Sequence, residues 1–166
     1  LVLLDSSTLG AAASTIDISA ATIGTTYNHL KLFVVAIPTS GSAFFMRFND
    51  SSASLLNSVS DYGEQVYRGG GTDFNDSTVS AITTVPAGGD ESGRSTCVKY
   101  DIFNLRSSSL NTNVIFSASL SNDASRLFIT GAGGALANED NQGIQLSFSS
   151  GNIDTGSSYA LYGVKT

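Results

Sequence analysis

Short runs in which apolar and polar residues alternate recur along the chain between clusters of Gly, Asn, Asp and Ser, and no stretch holds the period of an amphipathic helix. The pattern predicts strands at Val2–Leu4, Thr15–Ser19, His29–Ile37, Ala43–Phe48, Val79–Val85, Thr96–Asn104, Asn113–Leu120, Arg126–Thr130, Gly143–Ser149 and Ser158–Lys165, with a further short run at Leu55–Val59. The run Leu30-Lys-Leu-Phe-Val-Val-Ala-Ile37 is apolar on both faces apart from Lys31, which predicts a central strand covered on both sides. Elsewhere the alternation is clean: Val98, Tyr100 and Ile102 against Cys97, Lys99, Asp101 and Phe103, and likewise Val114, Phe116, Ala118 and Leu120.

About nine or ten short strands in one domain must close or stack, because an open sheet of that size leaves long unpaired edges. The expected fold is therefore all-β: a single antiparallel β-sandwich over residues 1–166, jelly-roll-like. An immunoglobulin-like sandwich is the second choice, weakened by the excess of strands over seven and by the absence of Trp and of a cysteine pair. The segments Ser60–Ser77 and Pro86–Ser95, each glycine-rich in part, are predicted as long loops, where partner contacts are to be sought.

Composition sharpens this. At 166 residues the chain is long enough to bury a core without staples, and its one cysteine, Cys97, allows no intrachain bridge and is expected as a small core residue. Charged residues make up 13%, while 27 Ser and 15 Thr keep the surface polar, as suits a protein packed among copies of itself. A formal charge of −6 with eight scattered Lys and Arg disfavours nucleic acid, and no apolar run is long enough to span a bilayer. The first residues, Leu-Val-Leu-Leu-Asp, lack the basic and apolar regions of a secretion signal, and no initiator Met precedes them, which suggests a processed or excerpted chain.

Candidate chemistry is sparse. His29 has no nucleophile or carboxylate in its own segment, so it is expected as a hydrogen-bonded strand-start residue and not as a general base. The oxygen-rich segments Asp73–Ser77 and Asn138–Gln142 lack the spacing of a calcium loop. Gly69–Gly71 and Gly131–Gly134 lack the lysine and helix of a phosphate cradle and are expected as turns. Asp90, Glu91 and Asp101 lie in separate segments, so no catalytic carboxylate pair is read; no cofactor or metal is expected, and the chain is expected not to be an enzyme. Tyr62, Tyr67 and Phe74 form an aromatic set in the first predicted loop that could stack on sugar rings or anchor the loop.

Several blocks carry a resemblance: Ser14-Thr-Ile-Asp-Ile18; Tyr27-Asn-His29-Leu30; Arg47-Phe48-Asn49; and the close, Phe148-Ser-Ser-Gly151-Asn152-Ile153 with Tyr159-Ala-Leu161-Tyr162-Gly163. Together they resemble bacteriophage virion structural proteins of the tail-fibre and head-decoration type. They bracket most of the chain while covering about a quarter of it, and the expected continuation after Asn49 is absent. The resemblance implies a non-enzymatic virion protein, a capsid decoration or fibre knob, binding other capsid or tail proteins and itself, with a trimer favoured. The alternative is a carbohydrate-binding receptor-recognition module. Within these blocks Tyr27 and His29 are expected to fix the start of the central strand, Arg47 to pair with a carboxylate, and Gly151-Asn152 to supply positive-φ turn residues.

Overall fold

The computed structural model describes residues 1–68, 74–85, 94–121, 126–138 and 140–165; the side chains of residues 74–78, 121 and 126 are outside the description. Among these residues the chain runs β1 (Val2–Thr8), β2 (Thr15–Ser19), α1 (Ala20–Ile23), β3 (His29–Ala36), β4 (Phe44–Asn49), β5 (Tyr62–Arg68), β6 (Phe74–Val79), β7 (Ile82–Val85), β8 (Thr96–Phe103), β9 (Asn113–Ser121), β10 (Arg126–Ala135), β11 (Gly143–Phe148) and β12 (Ser158–Gly163). All pairings are antiparallel. They build an eight-stranded sheet, β1-β12-β3-β8-β9-β10-β5-β6, and a four-stranded sheet, β2-β11-β4-β7. The protein is an all-β, two-sheet, jelly-roll-like sandwich.

The core lies between the sheets and follows from the alternation. Ile16, Ile18, Phe44, Met46, Phe48, Ile144 and Leu146 from the smaller sheet meet Leu30, Leu32, Val34, Tyr100, Ile102, Val114 and Phe116 from the larger. Helix α1 is one turn: Ser19 caps its start by accepting from the Thr22 N–H at 3.4 Å, and Gly24, at φ 64°, ends it. Its purpose in packing is Ile23, which is buried.

Three departures from the sequence pattern have physical causes. Residues 60–77, expected as loop, contain β5 and most of β6, which runs on to Val79. The β5 alternation is Tyr62, Glu64, Val66, and the inward carboxylate hides the apolar period; Glu64 is buried because it accepts a hydrogen bond from the Thr83 N–H. The glycines expected as a turn at 131–134 instead lie inside β10, where chains approach too closely for side chains: a Cβ on Gly131 would stand 2.5 Å from the Phe116 ring and 2.7 Å from the Gln65 carbonyl. Finally, Leu55 makes only an isolated bridge to Asn49.

A fourth departure matters most for function. Strand β3 is central, between β12 and β8, and its inner residues Leu30, Leu32, Val34 and Ala36 are buried as expected. Its outer residues are not covered: Phe33 is 40% exposed and Val35 36%. An apolar run normally covered on both sides is here covered on one.

Candidate functional site on the outer face of the large sheet

Register places the outward side chains of the eight-stranded sheet in rows across the strands. One row runs Ala160, Phe33, Lys99, Ser117, Thr130, Tyr67, each opposite the next on β12, β3, β8, β9, β10 and β5. The neighbouring row runs Ser158, Val35, Cys97, Ser119, Phe128. On the other side, Tyr162, Lys31, Asp101 and Ile115 form a third. At about 4.8 Å per strand, Phe33 and Tyr67 bracket roughly 19 Å of sheet.

The first two rows surround an open depression of about 410 Å³, bounded by Phe33, Val35, Cys97, Ser117, Ser119 and Phe128. Phe128 is 56% exposed and Tyr67 49%. Phe33 makes an edge contact with Tyr162, ring centroids 5.9 Å apart, which fixes its ring at the rim of the depression. Cys97 is exposed on this face and not in the core: Val98, Tyr100 and Ile102 take the inward positions of β8, and the cysteine shares the outward ones with Lys99.

Beside the depression the charges converge. Asp101 accepts from His29 Nε2 at 2.9 Å and from Lys31 Nζ through Oδ1, and from Lys99 Nζ at 3.1 Å through Oδ2. Burial alone would raise its pKa, but the hydrogen bonds from Lys31, His29 and Lys99 outweigh it and hold the carboxyl at about 2. His29 also stacks on Phe103, its direct cross-strand partner, at 4.3 Å. The carboxylate that its own segment lacks is thus supplied across the sheet.

The aromatic set expected in a loop lies on β5 and β6, and Tyr62 and Tyr67 do not share a platform. Tyr62 is fully buried, its hydroxyl accepting from the Phe48 N–H at 2.7 Å and donating to the Leu56 carbonyl at 3.1 Å. Tyr67 joins the outer face as described, and the Phe74 side chain lies outside the described residues. So do residues 69–73 and 86–93, hence the glycine-rich loops, Asp73, Asp90 and Glu91; among the described residues no group of His, Cys, Asp and Glu is arranged to hold a metal.

The remaining motif residues are structural. Tyr27 packs under Gly163, and Leu30, Phe48 and Leu161 are core. Arg47 bonds not to a carboxylate but to the Ser80 carbonyl at 3.0 Å and the Ser147 hydroxyl at 3.1 Å, over the Phe45 ring; burial lowers its pKa. The Asn49 carbonyl accepts from the Gln142 N–H. Gly151 has φ 74°, but the second positive-φ glycine of this region is Gly156 at 85°, not Asn152, whose N–H bonds to Thr39 Oγ1 instead. The Tyr159 hydroxyl donates to Asp5 at 2.7 Å, and burial, then that carboxylate, raises its pKa to about 12.

No protein-family model and no curated protein matches the chain. Solved structures to which it is similar include a double mutant of congerin II (10% identity over 89% of this chain and 99% of that one, TM-score 0.35) and a homodimeric agglutinin from chicken liver (7%, 87% and 98%, TM-score 0.33). A marine alginate lyase from Aplysia kurodai is a third (6%, 86% and 70%, TM-score 0.36). The virion expectation is corrected: the blocks that carried it match no family model and no curated protein. The capsid or tail partners, the favoured trimer and the virion location fall with it.

Proposed function

We propose that the protein is a carbohydrate-binding β-sandwich that holds its ligand on the outer face of the eight-stranded sheet and does not cleave it. The observation that carries this reading is the row pair in which exposed Phe33 and Phe128 flank Ser117 and Ser119 around an open depression, with Thr130 and exposed Tyr67 continuing the first row beyond it. Aromatic rings pack against the C–H faces of sugars, and hydroxyls exchange hydrogen bonds with the sugar edges, so the face offers both halves of sugar recognition. Its span suits several sugar units in a chain better than one. The non-cleaving reading is supported by the surroundings of Asp101: it is engaged by His29, Lys31 and Lys99, and no second carboxylate among the described outward residues of β3, β8 and β9 faces it to make the pair of glycoside hydrolysis.

Calorimetry of the whole chain against a panel of oligosaccharides tests the reading, with reducing-end formation followed in the same mixtures. Binding that weakens about tenfold in Phe33→Ala and in Phe128→Ala, without new reducing ends, is expected. Unchanged binding in both variants would move the site elsewhere, and new reducing ends would make the protein an enzyme.

A further inference from the structure

We propose that the ligand of this face is an acidic glycan, whose anionic group is taken by Lys99 with Lys31 behind it. The inference rests on the carbohydrate reading and goes further by naming the chemical class. Across the described outward positions of β3, β8, β9 and β12, the charged groups are Lys31, Lys99, Asp101 and, when protonated, His29. Two ammonium groups against one carboxylate leave the cluster positive in a chain whose formal charge is −6. Neither lysine serves to protect a sheet edge, since β3 and β8 lie in the middle of the sheet.

Position turns that charge toward the ligand. Lys99 is the most open member of the cluster, 45% exposed against 24% for Lys31 and 18% for Asp101. It sits on the boundary between the apolar depression and a second hollow of about 200 Å³ bounded by Asp101, Ile115 and Thr130; both share Lys99 and Ser117. The two hollows thus adjoin at Lys99, and a ligand laid across both passes over this side chain. A neutral ligand laid this way would strip water from Lys99 and return only dipoles, whereas a carboxylate or sulfate returns a charge-assisted hydrogen bond. Asp101, engaged by three donors, holds the lysines in place and does not cancel both.

The test is calorimetry with an oligouronate and with the same oligomer after reduction of its carboxylates to alcohols, at low and high salt. The oligouronate is expected to bind about tenfold tighter, the worth of one charge-assisted hydrogen bond, with the difference shrinking as salt rises. Lys99→Met should erase the difference and Lys99→Arg should restore most of it; Lys99 is exposed, so neither change threatens folding. Equal binding of the two oligomers overturns the acidic-ligand inference and leaves carbohydrate binding standing. Failure of both to bind, with every other oligosaccharide also silent, overturns both.

Discussion

The ring of Tyr27 lies directly against Gly163, so that a Cβ on the glycine would stand 2.5 Å from two of its ring carbons. The contact ties the segment before β3 to the end of β12, where the Val164 N–H also donates to the His29 carbonyl at 3.0 Å. Gly163→Ala is expected to lower unfolding free energy by about 1–3 kcal/mol, an overpacking cost. Urea denaturation checks it, and a Tyr27→Ala background should remove most of the effect, since the two positions then no longer collide.

Tyr62 offers a second test of the core. Its hydroxyl accepts from the Phe48 N–H and donates to the Leu56 carbonyl, and so pins residues 55–56 against β4. Tyr62→Phe keeps the ring and removes the hydroxyl, leaving the buried Phe48 N–H and the part-buried Leu56 carbonyl without it, for an expected loss of about 1–3 kcal/mol in urea denaturation.

The pH dependence of stability should carry the mark of Asp101. Its folded pKa of about 2 lies below the ordinary 3.8, so its contribution is present above 3.8 and disappears as pH falls toward 2. Acid titration of thermal stability should show a fall in that window. In Asp101→Asn the fall should be shallower, starting from a lower plateau because Lys31 and Lys99 then lack their anion. Identical acid limbs in the two proteins would show that the cluster contributes nothing.

Gly131 is expected to tolerate no side chain: Gly131→Val would drive atoms into both the Phe116 ring and the Gln65 carbonyl, which neither can leave without opening the β9-β10-β5 pairing. Loss of the cooperative unfolding transition is the expected readout.

That same glycine shows where the sequence was opaque. The strands with clean alternation, β8, β9, β11 and β12, were legible because every second residue is apolar and goes inward. In β10 only the first half, Arg126–Thr130, reads as a strand, because the glycines that follow serve close approach, and in β5 an inward Glu64 interrupts the period, so the rest is not read as strand until its partners are known. The site was hidden for a related reason. Phe33, Phe128 and Tyr67 lie on strands far apart in sequence, and only register brings them to one face. The one local signal was the apolar outer half of β3, which a single sequence cannot distinguish from a strand covered on both sides. Likewise the partner of His29 was invisible, because Asp101 is 72 positions away.

The central claim is that the outer face of the large sheet is where a glycan binds. The most direct measurement is the mapping of amide and side-chain chemical-shift changes on the isotope-labelled chain, titrated with whichever oligosaccharide calorimetry selects. Changes clustered on Phe33, Lys99, Ser117, Phe128 and Tyr67 are expected. Saturable binding with changes confined to the four-stranded sheet or the sandwich ends, and none on these residues, would contradict it.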